Sequence, residues 1–100
     1  MLLYNVTIKI DADVADEWVA WMKSSHMPRV MQTGLFVENL LLRIVGDDND
    51  DGITFAAQYH CENMTNYQHY QQTFAPALQA ETKEKYAGKF AAFRTLMEIL

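Results

Sequence analysis

Polar and apolar positions alternate from the second residue onward: Leu2, Tyr4, Val6, Ile8 and Ile10 point one way, and Leu3, Asn5, Thr7 and Lys9 the other. A period of two predicts a strand with one core-facing side. Past Asp11 and Asp13, either of which suits a helix N-cap, the period lengthens. Val14, Ala15, Trp18, Trp21 and Met22 then share one half of a helix, so both tryptophans are expected to face the core. Asp16 and Glu17 fall in its first turn, where the helix dipole favours carboxylates. Pro28 disfavours helical geometry at Met27, which predicts that this helix stops or kinks around His26. A short helical turn over 29–33, closed by Gly34, should follow.

Residues 35–45 suit a long strand whose faces the pattern leaves open. Residues 46–52, bounded by Gly46 and Gly52, form a turn, and Ile53, Phe55, Ala57, Tyr59 and Cys61 then alternate with Thr54, Ala56, Gln58 and His60. The pair predicts a hairpin. Asn63 or Thr65 can cap a second long helix in which Tyr67, Tyr70, Phe74 and Leu78 recur at helical spacing; Pro76 should kink or restart it, and Gly88 should end it. Residues 90–100 read as a last strand whose odd members are the more apolar. The order βαββαβ predicts an α+β, ferredoxin-like domain over residues 1–100, with a four-stranded antiparallel sheet and two helices on one face.

The other face of that sheet is expected to carry Leu3, Asn5, Thr7, Lys9, Thr54, Gln58, His60, Phe90, Arg94, Leu96 and Glu98. Large apolar groups mixed with charges suit an interface with a polar interior better than a solvated surface, so a homodimer formed sheet to sheet is expected, with Leu3, Phe90 and Leu96 needing cover.

Composition narrows the partners. Of the 100 residues, 21% are charged and half are hydrophobic, enough for one core. The net charge is −5, yet Asp47, Asp48, Asp50 and Asp51 supply four of the thirteen acids, so the remainder is close to neutral. No basic stripe is present, and neither nucleic acid nor a membrane surface is an expected partner. No apolar run approaches the roughly 20 residues that span a bilayer. The first residues lack a basic n-region and a cleavage site, and the single Cys61 cannot form an internal disulfide, so a cytoplasmic protein is expected.

Motifs for nucleotide, phosphate or hydrolase chemistry are absent, and no cofactor is expected. His60, Cys61 and Glu62 alternate across a strand and cannot converge on one metal. Asp47-x-Asn49-x-Asp51-Gly52 matches the first half of an EF-hand loop, but Gln58 stands where the bidentate Glu belongs, so no calcium site is expected. More informative is the group Trp21, His26 and Arg29, because an aromatic wall with a titratable group and a cation suits an organic anion.

The stretch Trp18-x-x-Trp21-Met22, followed by His26-Met27-Pro28-x-Val30-Met31-x-Thr33-Gly34-x-Phe36, resembles the signature of a small bacterial family without an established activity. Tyr70-Gln71-x-x-Phe74-Ala75-Pro76-Ala77-Leu78 and the C-terminal segment from Phe90 fit the same family. The plan is also similar to the dimeric α/β-barrel superfamily, which includes cofactor-free monooxygenases, haem-degrading monooxygenases, muconolactone-type isomerases and ligand-sensing domains. That likeness implies a dimer with a pocket, either between sheet and helices or inside the barrel, and transfers no catalytic set.

Three functions compete. In a cofactor-free oxygenase or isomerase acting on a small aromatic or conjugated molecule, His26 or His60 would carry the proton and Arg29 or Arg94 would stabilise an oxyanion, with Trp21, Tyr59 and Tyr70 as pocket walls. The alternatives are a non-catalytic ligand-binding module and a purely structural dimer. On the helix side, Trp21, His26, Tyr59 and Tyr70 are expected to share one cavity, with His60 and Arg94 in the barrel interior as the other site.

Overall fold

The computed structural model describes residues 1–46 and 51–100. Its strands are β1 (Leu2–Asp11), β2 (Glu38–Arg43), β3 (Gly52–Cys61) and β4 (Phe90–Glu98). They form one sheet in the order β2-β3-β1-β4, antiparallel throughout. The helices α1 (Ala15–Trp21), α2 (Met27–Gln32), α3 (Met64–Thr73) and α4 (Ala75–Lys85) lie on one face, which is the ferredoxin-like plan. Among the described residues no helix is long and apolar enough to cross a membrane.

The core sits between helices and sheet. Tyr4, Ile8 and Ile10 of β1 meet Phe55, Ala57, Tyr59 and Cys61 of β3, all buried. Trp18 packs on Phe55 with ring centroids 5.0 Å apart. Tyr4 anchors an aromatic cluster with Phe36, Tyr59, Tyr67 and Tyr70. Burying a side chain of this size is worth about 1.5–3 kcal/mol, so these rings carry much of the stability.

The α3–α4 break follows the sequence closely. The Asn63 side chain accepts from the Asn66 N–H at 2.8 Å, capping α3, and Pro76 sits in the first turn of α4, where its missing N–H leaves no helical bond unmade. Gly34 and Gly88 take positive φ at 77° and 73°, ending helical segments as expected.

Neither Asp11 nor Asp13 caps the first helix with its side chain, contrary to expectation. Two further expectations change with the structure. The α-helix is interrupted around His26, yet the chain does not leave the helix: it passes through a π-turn, Met22–His26, into α2. Pro28 has no N–H for the Ser24 carbonyl and its ring would crowd that carbonyl in an α-helix. Widening the turn relieves the crowding: the Met27 N–H bonds the Met22 carbonyl five residues back, while the Ser24 hydroxyl donates to the Ala20 carbonyl at 2.7 Å.

The second concerns β4. It pairs with β1 so that Phe90, Ala92, Arg94 and Leu96 stand opposite Ile10, Ile8, Val6 and Tyr4. Phe90, Arg94, Leu96 and Glu98 therefore face the helices, and Phe93 and Met97 face away. A strand's period is two, so a misread face moves every side chain. The more apolar set of β4 points to the open face, which is why polarity alone misled. Of the three groups expected to need cover there, only Leu3 lies on that face. In β2 the register puts Leu40 and Leu42 on the open face and Leu41 towards the helices. The acidic tip and its partial calcium pattern involve Asp47 to Asp50, which lie outside the described residues.

Candidate functional site

Small residues make room beneath the helices. Ala57 stands opposite Val6 on one side of β1, and Ala92 stands opposite Ile8 on the other. Larger side chains at these points would meet the helices; alanines leave a cavity of about 600 Å³. That volume lies within the range of small-molecule sites. Tyr4, Val6, Ile8 and Tyr59 of the sheet line its floor. Trp18 of α1, Met22 and His26 of the π-turn and Tyr70 of α3 line the walls. Leu78, Gln79, Thr82 and Lys83 of α4 complete it, with Phe90 and Arg94 along β4.

The cover is uneven. Tyr4, Ile8 and Ile10 are 2%, 6% and 0% exposed, whereas Phe90, Ala92 and Leu96 on the same face are half-buried and Arg94 is exposed. The helices close over β1 and β3 and leave the inner side of β4 open, so the cavity has its mouth there, beside Arg94 and Lys83.

His26 is the titratable group of the wall. Burial, reinforced by the Arg29 charge and opposed by Glu81, lowers its pKa to about 4. The imidazole is therefore neutral at physiological pH, and its buried Nδ1 has no hydrogen-bond partner. The indole Nε1 of Trp18 is buried without a partner as well. Tyr59 and Tyr70 are pushed well above the usual phenol range, in each case first by burial and then by a neighbouring tyrosine. Both remain protonated donors. An uncharged acceptor-capable nitrogen, two phenols and an indole N–H thus border one aromatic space.

Of the residues singled out in the sequence, His26, Tyr59, Tyr70 and Arg94 come together here. Trp21 does not line the cavity. Its ring lies tilted against His26 with centroids 5.0 Å apart and meets Tyr86 edge-on, backing the imidazole from outside. Arg29 is committed to a bidentate ion pair with Glu81 of α4 and shares a shallow depression with Trp21, Glu84 and Lys85. His60 lies on the opposite face, 3.3 Å from Glu38, and so cannot act with Arg94. The expected second site is therefore divided between the two sides of the sheet. Sequence reasoning missed Tyr4, Gln79, Thr82 and Lys83 as lining residues and assigned Trp18 to packing alone. The paired alanines in otherwise bulky strands were the available signal.

A family model described as a domain of unknown function (DUF4286) matches residues 1–100, so the chain belongs to that family. No curated protein matches it. Solved structures share its fold at low identity. HapK from Hahella chejuensis superposes with a TM-score of 0.73 at 13% identity, covering 100% of this chain and 93% of that one. A mutant of MhuD with two manganese protoporphyrin IX bound per active site gives 0.71 at 19%, covering 100% and 95%. A mutant of SnoaB, a cofactor-independent oxygenase from Streptomyces nogalater, gives 0.65 at 12%, covering 98% and 92%.

Proposed function

We propose that this member of the DUF4286 family binds a planar, conjugated small molecule in the helix-side cavity and acts on it as a cofactor-free oxygenase or isomerase. The observation that carries the reading is the cavity itself, about 600 Å³, walled by Tyr4, Trp18, Tyr59 and Tyr70 and bordered by a neutral imidazole. Aromatic faces favour a flat π-system. Likeness to SnoaB and to porphyrin-bound MhuD supports the class of ligand and brings no residue roles.

Chemistry would begin with a proton. His26, uncharged, takes it from an acidic position of the ligand, and the phenols of Tyr59 and Tyr70 donate to the oxyanion that forms. In an isomerase the proton returns at another carbon and nothing else is consumed. In an oxygenase the carbanion formed at a CH2 position reduces dioxygen and bonds to it as a peroxide; His26 returns its proton, and loss of water with the carbon's remaining hydrogen leaves a ketone, one oxygen atom in the ligand and the other in water. A second reading, a non-catalytic binding module, is favoured by one observation: a conjugate acid near 4 makes His26 a weak base.

A sheet-to-sheet homodimer belongs to the same proposal. Leu40, Leu42, Phe93 and Met97 are exposed on the open face. They flank a central polar ribbon in which Asn5 bonds Thr7 at 2.9 Å and Gln58 bonds Asn5 at 3.2 Å. A second copy covers such a face without breaking those bonds, burying on the order of 800 Å² per subunit.

Fluorescence tests the cavity. Trp18 lines it and Trp21 does not, so 1,4-naphthoquinone should quench one tryptophan. Filling the space with Ala92→Phe should weaken apparent binding by about a hundredfold, roughly 2.7 kcal/mol. Equal quenching of the parent and the filled variant would place the ligand elsewhere. Conversion of anthrone to anthraquinone above the uncatalysed rate, with one oxygen atom taken from dioxygen and the activity lost in His26→Ala, separates the oxygenase from the binding module.

A further inference from the structure

We propose, resting on the reading that the helix-side cavity holds a planar conjugated ligand, that this ligand carries an acidic group held at the mouth by Arg94 and Lys83, with a neutral carbonyl or hydroxyl oxygen at its enclosed end. The chain has thirteen acids against eight basic residues. Its cavity reverses that balance: Lys83 and Arg94 line it, and among the described residues no carboxylate does.

These two cations also differ from their neighbours in what they meet. Arg29 pairs with Glu81, Lys85 with Glu17 at 3.9 Å, and Lys89 with Asp13 at 3.4 Å. Among the described residues Lys83 and Arg94 have no ion-pair partner. Both are exposed, at the side where the helices leave β4 uncovered. A carboxylate bound there keeps part of its hydration while gaining charge-assisted hydrogen bonds, which avoids the cost of burying an ion.

The inner end offers the opposite chemistry. Tyr59 and Tyr70 present un-ionised hydroxyls, and the Trp18 N–H is buried without an acceptor. Donors without formal charge suit a carbonyl or hydroxyl oxygen in the resting ligand, whereas a carboxylate there would bury a full charge with no cation beside it. The occupant therefore has polarity along its length, conjugated body inward and acid outward. A net negative protein with a positive mouth would also focus its field there and favour capture of organic anions at low salt.

Matched probes test this: anthraquinone-2-carboxylate and its methyl ester, titrated against the full chain and a Lys83→Gln/Arg94→Gln variant. Both positions are exposed, and a melting curve verifies that the variant folds. The acid should bind the parent at least about tenfold more tightly than the ester, and that preference should fall below about twofold in the variant or at high salt. Equal affinity for acid and ester in the parent overturns the acidic-ligand inference and leaves the cavity reading standing. So does a preference that survives in the variant. If neither probe binds, the cavity reading itself fails and takes this inference with it.

Discussion

The two faces of the sheet are built from the same four strands and solve the same problem differently. On one, aromatic side chains from β1 and β3 are closed over by helices of the same chain, leaving a cavity where Ala57 and Ala92 stand. On the other, hydrogen-bonded Asn5, Thr7 and Gln58 run down the middle while Leu40, Leu42, Phe93 and Met97 are exposed along the outer strands. The contrast separates two roles. The covered face encloses a ligand-sized space within one subunit, and the uncovered face leaves large apolar side chains exposed on both sides of satisfied polar groups.

The largest effect should come from charging the open face. Phe93→Asp with Met97→Asp places like charges at the proposed contact between two copies, and dissociation of that dimer should rise about a thousandfold, roughly 4 kcal/mol, in sedimentation equilibrium. Unchanged ligand binding by the resulting monomer would sharpen the division between the faces. Loss of binding in a folded monomer would break it, because the site would then need both subunits.

A smaller effect belongs to the covered face. His26 is held near 4 against an ordinary 6.5, so the unfolded chain binds its proton more readily. The contribution is full above pH 6.5, falls as pH drops towards 4, and is gone below both values. Its size, discounted for partial exposure, is about 2 kcal/mol. Denaturant melts of the parent and His26→Gln should differ in pH dependence within that window, and parallel curves would show that the imidazole is not buried as described.

Smallest of all should be Arg29→Gln. The Arg29–Glu81 pair is 39% exposed on each side and lies outside the cavity. Stability should fall by no more than about 1 kcal/mol, with ligand affinity unchanged. A tenfold loss of affinity without unfolding would restore Arg29 to the site.

The same contrast explains how far the sequence could be read. β1 was legible because one of its faces is buried under helices, which forces a clean alternation. Asn63, Pro76 and the glycines at 34 and 88 act through local backbone chemistry and were legible for that reason. In β4 both faces carry apolar residues, since one borders the cavity and the other points away from the helices, so the pattern did not say which was which. The π-turn at Met22–His26 was hidden because Pro28 can be accommodated either by ending a helix or by widening one turn. At the site, His26, Tyr59 and Tyr70 lie on faces that periodicity identifies. The pairing that turns Arg29 away from the cavity was not legible, because its partner, Glu81, is 52 residues away. Lys83 was missed because α4 has no strong apolar stripe to mark its inner side.

The proposed ligand site lies between helices and sheet within one subunit. A crystal structure of the protein grown with 1,4-naphthoquinone tests it most directly. Difference density should lie flat against Tyr59 and Trp18, within reach of His26. Density on the open face beside His60, with the helix-side cavity empty, would contradict the account.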